Sequence, residues 1–524
     1  MDFNDEPGSK MNWILSFPAF FILIMGFVAP LMFLFALGLR DFSDSVLRDP
    51  FLLYVIQFTY FQALVSSVLS VGFGFFTAWM IKEWRVRGGS WLWKICLLCS
   101  SLPAIIVALG ILGTWGPGGL GSGILSGTRG VFGWTGIILG HVFLNFAIPL
   151  RLIGNALRER DRSAEMTALS LGMSRLAIFG QITLPKIKPS IVCSFILAFL
   201  FSSTSLFIVL FLGGGPRFTT LEVSLYEAIK LNLDNSRACQ IASVQAIICT
   251  SILFLYLRSQ KGSFLNEQVH RNGIFRPRTK WIETIGSCFM WSLVVFLIGL
   301  PLISILVDGV GVLHFLNLVE LSRAALISLG IAFGVAVLSL AILYPLLHAV
   351  HHEKSSKTLK GLSWLVGLPQ FFSSLVVALG LSVFYPSIRG NNLQAYLAIV
   401  VAQTLFVIPL IQFPLREGFQ RYSKEQDLTA QSLGANRWQR FLWVEFPSMK
   451  RSLILSALIA AGFSLGEVAT VLLFSPAEVQ TLSLSIFQAM SRYRFQEAHA
   501  MTVILLVVMV LIFGVVGKLE EKDD

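Results

Sequence analysis

One acidic residue lies where an apolar helix should cross a membrane. Its carboxylate is expected to act through its charge or its hydrogen bonds and not as a catalytic group. Glu467 stands within the run GFSLGEVATVLLF at 462–474. Ionisable side chains inside membrane spans are costly and usually face a partner or a pathway. Two hypotheses stay open: the carboxylate lowers the barrier for a passing cation, or it braces the packing of helices.

Three other patterns have spacings that could bind a metal or a phosphate, but their neighbours argue against it. Cys96 and Cys99 form a Cys-x-x-Cys pair without a second pair, so ordinary buried thiols are predicted. Three histidines without a nearby cysteine are interpreted as a solvated cluster at a helix end: His348, His351 and His352. The glycines at 213–215 lack the Lys-Ser/Thr ending of a phosphate loop. We therefore predict no metal site, no bound cofactor and no ATP hydrolysis by this chain.

The composition indicates which elements must position these side chains. Apolar types make up 55% of the 524 residues and charged types 13%, and the mean hydropathy is +0.74. Soluble domains carry about 25% charged residues, so a soluble enzyme and an extended disordered chain are excluded. The sequence predicts an all-α polytopic membrane protein in contact with lipid.

Twelve apolar stretches are long enough to cross a bilayer as helices, which takes about 20 residues. The first half contains 12–38, 52–81, 95–113, 135–156, 189–212 and 238–258. The second half contains 282–307, 324–350, 361–385, 394–415, 452–474 and 498–517.

The distribution of basic residues predicts the orientation of the chain. With the N-terminus inside, thirty of the forty Lys and Arg residues lie in predicted cytoplasmic segments, as in other membrane proteins. Both termini are therefore expected in the cytoplasm. The formal net charge of +11 then reflects topology, and no nucleic-acid partner is predicted.

The two halves of the chain repeat each other at an offset of 262 residues. Residues 164–185 (the first loop) and 426–447 (the second loop) are identical at eight of 22 positions. At this offset Glu467 corresponds to Ser205, so both are candidates for a translocation path. A second repeat is TLEVSLYEAI at 220–229 and TLSLSIFQAM at 481–490. The predicted organisation is two parallel six-span units, at 1–258 and 282–524, joined by a cytoplasmic linker at 259–281.

Each loop lies between the fourth and fifth predicted span of its half and reads as two short helices joined by a turn. Gly172 and Gly434 permit a left-handed backbone at this turn without steric cost. A proline, Pro185 or Pro447, is expected to close each loop before the next span begins.

Two near-copies of a projecting helix-turn-helix predict a docking device for a partner with two similar sockets. The alternative is a loop that packs only on its own bundle, and repetition at a fixed offset argues against it. Within the first loop, four apolar residues are expected to supply apolar contacts, namely Leu169, Leu171, Leu176 and Ile178. Four arginines are expected to face outward, namely Arg158, Arg160, Arg162 and Arg175.

The order of a small-residue block, then Gly172, then Pro185 thirteen residues later resembles the EAA loop of binding-protein-dependent ABC importer permeases. The leading Glu-Ala-Ala of that family is partly kept, since Glu165 and Asp427 lie one residue earlier than the family's acid. The resemblance covers both halves and implies a fused type I importer permease made of two MetI-like units.

This resemblance implies that the loops dock on a separate ATPase and that the chain is not itself an enzyme. The residues carried over to this role are Glu165, Thr167, Ala168, Gly172, Arg175, Pro185, Asp427, Thr429, Ala430, Gly434, Arg437 and Pro447. It also implies two copies of a cytoplasmic ABC ATPase subunit, a periplasmic solute-binding protein and a location in the bacterial inner membrane.

Three further segments, at 139–152, 212–229 and 491–501, are similar to the thiamine-transport subgroup of that family. Fused iron(III) permeases share the two-unit layout and are the alternative within the family. A secondary transporter also fits twelve spans, but it should carry buried coupling charges in both halves and should not need two docking loops. A membrane enzyme lacks support from any paired acid and base.

Overall fold

The computed structural model describes residues 17–40, 49–83, 86–123, 130–159, 162–259, 280–352, 361, 365–390, 392–421, 424–475 and 479–521. Within these ranges the regular secondary structure is helical, without strands. Most of the predicted linker, at 260–279, lies outside the described residues.

Nine helices of the described residues are long and apolar enough to cross a membrane. They are α1 (Phe17–Arg40), α2 (Pro50–Glu83), α8 (Arg175–Ser203), α11 (Asn235–Arg258), α12 (Thr284–Val310), α13 (Leu318–His351), α15 (Asn392–Arg421), α17 (Trp438–Gly466) and α20 (Phe495–Leu519). A tenth candidate is the pair α5 (Trp134–Asn145) and α6 (Ala147–Arg158), bent by 40°. The prediction of an all-α polytopic membrane protein is confirmed.

Two predicted spans are built from shorter helices. The stretch at 95–113 falls on α3 (Gly89–Ser100) and α4 (Ala104–Trp115), which are separated just before Ala104 by Pro103. The stretch at 361–385 contains α14 (Ser374–Phe384). Because proline removes a backbone donor and clashes with the preceding turn, it interrupts the ladder of a helix.

The described residues contain six shorter helices that complete this order. In the first half they are α7 (Arg162–Ser170), α9 (Phe207–Leu212) and α10 (Leu221–Lys230). The second half has three helices at the corresponding positions of the repeat, namely α16 (Lys424–Ser432), α18 (Ala469–Phe474) and α19 (Leu482–Ser491). Each of the two loops therefore precedes a span that is broken near its far end.

The expectation that Pro185 and Pro447 end the loops is wrong. Both prolines lie inside continuous helices, α8 and α17, whose first turns already belong to the loops. Each follows a π-helical turn, Phe179–Thr183 or Phe441–Glu445. The wider turn shifts the carbonyl ladder ahead of the proline, so the helix continues where a regular α-helix would break.

The contacts group the chain into two compact units that differ from the two halves of the sequence. Unit 1 contains α1, the segment Asn235–Ser243 and the helices after Val312. Within it, the Tyr385 hydroxyl donates to the Met25 carbonyl at 3.2 Å. The first helix of the chain thus packs with the later helices of the second half.

Unit 2 contains α2 to α10, the segment from Val244 onward in α11, and α12. Here Trp115 of α4 packs against Phe296 of α12, with ring centroids 4.7 Å apart. The first helix of the second half thus packs with helices of the first half. The sequence boundaries at 258 and 282 describe the duplication and stay a prediction.

We expect two fragments, 1–265 and 266–524, to assemble when they are produced together. Each fragment carries one helix, α1 or α12, that belongs to the compact unit formed by the other fragment's remaining helices. Association of the two fragments buries the apolar surface of that helix. Affinity purification through a tag on one fragment should recover the other.

Fragments that insert stably but never copurify would contradict this expectation. A fragment 42–265, which lacks α1, serves as the control and should be recovered in smaller amount.

Candidate functional site

The first loop begins with α7 and ends that helix in a Schellman motif. The Met173 amide donates to the Ala168 carbonyl at 3.0 Å, and the Gly172 amide donates to the Leu169 carbonyl at 3.0 Å. Gly172 has a φ of +85°. This is the left-handed region that glycine adopts without strain, so the helix stops here because of the residue type.

The second loop has the same turn with the same distances. The Ala435 amide donates to the Ala430 carbonyl at 3.0 Å, and the Gly434 amide donates to the Gln431 carbonyl at 3.0 Å. The φ of Gly434 is also +85°. Thr167 and Thr429 take equivalent places, since the carbonyl of each accepts from the amide four residues later, that of Leu171 or Leu433, at 3.0 Å.

The helix that follows each turn starts with a side-chain cap. In the first loop the Ser174 hydroxyl accepts from the Ala177 amide at 3.2 Å. In the second loop Asn436 and Gln439 cap each other's amides reciprocally at 2.8 and 2.9 Å. Two different cap chemistries therefore begin the helix that follows each turn.

The tips of both loops expose large apolar side chains. Leu171 and Leu176 are 80% and 82% exposed, and Leu433 and Trp438 are 82% and 67% exposed. The expectation of apolar contacts within the first loop holds for Ile178, which is 4% exposed, but it is wrong for Leu171 and Leu176, and Leu169 is 38% exposed. Paired exposed apolar residues on a fixed turn are typical of a surface that another protein covers.

The two acids of the resemblance tie each loop to the helix that leads into the membrane. Glu165 is buried, and its Oε1 accepts from the Thr183 hydroxyl at 2.6 Å. Asp427 pairs with Arg440 at 2.8 Å. Both contacts cross from the first helix of the loop to the base of the next span, so they hold the turn in place.

The remaining loop residues lie at the start of the same outgoing helix. Arg175 is exposed on the first turn after the cap, and Arg437 begins the equivalent turn in the second loop. Pro185 and Pro447 are exposed just after the π-helical turns. The structure thus brings the predicted loop residues into two separate, equivalent sites.

Glu467 lies at the break between α17 and α18, not inside a continuous helix. Its Oε1 accepts from the amides of Ala469 and Thr470 at 3.0 and 3.3 Å. The carboxylate therefore caps the start of α18, and the Ser374 side chain also hydrogen-bonds it. Ser205 occupies the matching break between α8 and α9.

The second sequence repeat forms α10 and α19, and two hydroxyls that sequence reasoning missed hold their first residues. The Thr59 hydroxyl accepts from the Leu221 amide at 2.9 Å. The Ser328 hydroxyl accepts from the Leu482 amide at 2.8 Å. Both hydroxyls lie about 15 Å along their helices, at the usual rise per residue, so α10 and α19 start deep beside α2 and α13.

A further buried acid that sequence reasoning missed is Glu222. It lies on the first turn of α10, is 1% exposed, and accepts from the Gln245 amide nitrogen at 2.5 Å. The segment 220–229 lies between the predicted spans 189–212 and 238–258, so the sequence predicts no buried acid there. The one available signal was the mismatch of Glu222 with Ser483 in an otherwise similar repeat.

The remaining candidate groups show no metal-binding arrangement. Among the residues that the structure describes, no group of three His, Cys, Asp or Glu side chains could hold a metal ion. Cys96 and Cys99 are buried free thiols. The interpretation of His348 as solvated is wrong, because its side chain is 18% exposed and its Nε2 lies 3.6 Å from Glu445 Oε1.

Comparison with protein families establishes the family of the chain that carries these loops. The model of the "binding-protein-dependent transport system inner membrane component" matches residues 70–261 and 353–520. The chain belongs to this family. The two matches cover the first and the second loop, one in each half. The protein is therefore a multi-pass inner membrane component of a transport system that depends on a binding protein.

Similar proteins extend over nearly the whole chain. The thiamine transport system permease protein ThiP of Haemophilus influenzae is 27% identical over 97% of this chain and 95% of its own length. ThiP of Escherichia coli is 29% identical over 92% of each chain. The Fe(3+)-transport system permease protein FbpB 2 of Haemophilus influenzae is 23% identical over 91% of this chain and 93% of its own length.

Proposed function

We propose that this chain is the membrane-spanning subunit of an ATP-driven importer that passes thiamine from a periplasmic binding protein into the cytoplasm. The observation that carries the importer role is the pair of identical glycine turns with exposed apolar tips. The observation that favours thiamine is the similarity to thiamine permeases over 97% of the chain. The iron(III) permease is less similar at 23% identity and is not favoured.

The proposed mechanism needs no covalent chemistry in this chain. Each loop docks on one copy of an ABC ATPase subunit, so the complex contains two ATPases. When ATP closes the ATPases, the loops move, and the stiff contacts Glu165–Thr183 and Asp427–Arg440 carry that movement into α8 and α17. Packed helices switch between discrete arrangements and do not deform continuously, so a shift of each loop moves its helix as a rigid body.

A transport assay tests this function. The chain, its candidate ATPase and its binding protein are reconstituted in liposomes with ATP inside, and uptake of labelled thiamine and iron(III) is compared. ATP-dependent uptake of thiamine alone supports the proposal. Uptake of iron(III) alone would assign the alternative, and uptake driven by an ion gradient without ATP would indicate a secondary transporter.

We also propose that both loops face the cytoplasm, with both termini on that side. In a variant with all six native cysteines replaced, a cysteine at Leu171 should resist an impermeant maleimide added to intact spheroplasts. A cysteine at Leu233, which is 77% exposed and precedes α11, should react. The reverse pattern would place the loops outside and contradict the importer orientation.

A further inference from the structure

The two loops differ in the residue that ends the π-helical turn. In the first loop this residue is Thr183, which bonds to Glu165. At the same place in the repeat the second loop has Glu445, 7% exposed. Because a carboxylate at this position has no hydrogen to donate to Asp427, the carboxylate of Glu445 must find its partners elsewhere.

The partners of Glu445 come from α13. The Tyr344 hydroxyl donates to Glu445 Oε1, and His348 Nε2 lies 3.6 Å from the same oxygen. Tyr344 and His348 are four residues apart, so they lie on one face of the helix. We call these three residues the Tyr344–Glu445–His348 cluster.

The first half has an apolar contact at the matching place. Thr59 and Ser328 align α2 with α13, because each accepts from the first amide of the equivalent short helix. In this alignment Trp79 corresponds to His348, and it packs edge-on against Phe179 with ring centroids 5.2 Å apart.

In the second half the aromatic contact comes from Tyr344, one helical turn before His348, and the hydrogen bond to Glu445 lies beside it. Tyr344 packs edge-on against Phe441 at 6.2 Å, and Phe441 is the residue equivalent to Phe179. A hydrogen bond to a buried carboxylate is stronger and more directional than an aromatic contact. The base of the second loop is therefore bound to its neighbouring span by a directional polar contact as well as by aromatic packing.

A cleft of about 230 Å³ lies beside the cluster and is lined by Leu340, Tyr344, Pro345, Phe441, Phe446 and Leu453. Tyr344 and Phe441 therefore border an apolar groove on one side, unlike side chains in a close-packed interior.

We propose that the Tyr344–Glu445–His348 cluster is a positioning device that locks the base of the second loop to α13 and so helps this loop to transmit ATPase movement. This inference rests on the proposed function, in which both loops dock on ATPase subunits. Tyr344 and His348 act through Glu445, and Glu445 acts through the π-helical turn at the base of α17.

The test is a Tyr344→Phe variant in the full complex with ATPases and thiamine-loaded binding protein. The readout is the ratio of stimulated to basal ATP hydrolysis. We expect this ratio to fall by about tenfold or more, the effect of losing one hydrogen bond to a charged group, while membrane level and basal hydrolysis stay at the wild-type value. Glu445→Gln keeps an oxygen for the Tyr344 hydroxyl and should fall less than Glu445→Leu.

Tyr54→Phe is the matched control. It also removes one hydroxyl hydrogen bond, to the Arg217 carbonyl at 2.6 Å, but it lies away from the loops in sequence and contacts. A general loss of stability would lower the ratio in both tyrosine variants and would overturn the proposal.

A Tyr344→Phe complex that is stimulated like the wild type would also overturn it, and so would equal ratios for Glu445→Gln and Glu445→Leu. A wild-type complex without any stimulation is a different failure, because it would refute the proposed function itself.

Discussion

Replacing Gly172 or Gly434 with valine will lower ATP hydrolysis in response to loaded binding protein and will weaken retention of the ATPase, while the chain still inserts normally. Both glycines have a φ of +85°, and a Cβ added at either would meet no atom within 4 Å. The cost is therefore backbone strain alone, about 1–3 kcal/mol at each turn. A β-branched residue relieves it by redirecting the following helix, which displaces the exposed apolar tips.

The measurement compares stimulated ATP hydrolysis and ATPase copurification in the two single variants and the double variant. The double variant should be worse than either single one, because the loops are separate sites. Gly180→Val is the matched control. Gly180 also has open space at its Cβ position, but it lies in a helical turn without a positive φ, so its effect should be small. If both turn variants hydrolyse ATP at the unmodified stimulated rate, the loops are not the coupling elements.

The sequence predicted the loops well because a duplication makes a local signal visible twice. The turn at Gly172 and Gly434 needs one residue type at one position, and both copies keep it. Leu171 and Leu176 were expected to supply apolar contacts but are exposed, and this difference has a physical cause. An apolar residue at helical spacing predicts burial, but the sequence of one chain does not contain the partner that would provide it.

The helix path and the units could not be predicted, because both depend on long-range geometry. A π-helical turn ahead of Pro185 leaves no periodic pattern, and proline by itself predicts a break. The place of α1 in unit 1 follows from packing against residues more than 300 positions away, such as the Met25–Tyr385 contact. Glu222 was missed for the same reason, since its burial depends on α10 lying against α11 and α2.

The Glu467 carboxylate has two possible tasks, and substitutions separate them. Glu467→Ala removes the oxygen that accepts from Ala469 and Thr470, and loss of such a cap costs about 0.5–2 kcal/mol. Glu467→Gln keeps that oxygen and removes the charge. Because the carboxylate already has three partners in the structure, we expect the glutamine variant to keep most thiamine uptake and the alanine variant to lose most of it.

The measurement is the initial rate of labelled thiamine uptake at equal membrane level, with Ser205→Ala as the control at the matching break of the first half. Ser205→Ala should transport like the wild type, since a serine at that break carries no charge. The glutamine variant decides between the hypotheses for a physical reason. Thiamine carries a permanent positive charge, and a carboxylate on its path would lower the barrier by attraction that a neutral amide lacks. Uptake abolished by Glu467→Gln, with ATPase retention intact, would therefore assign Glu467 to the translocation path.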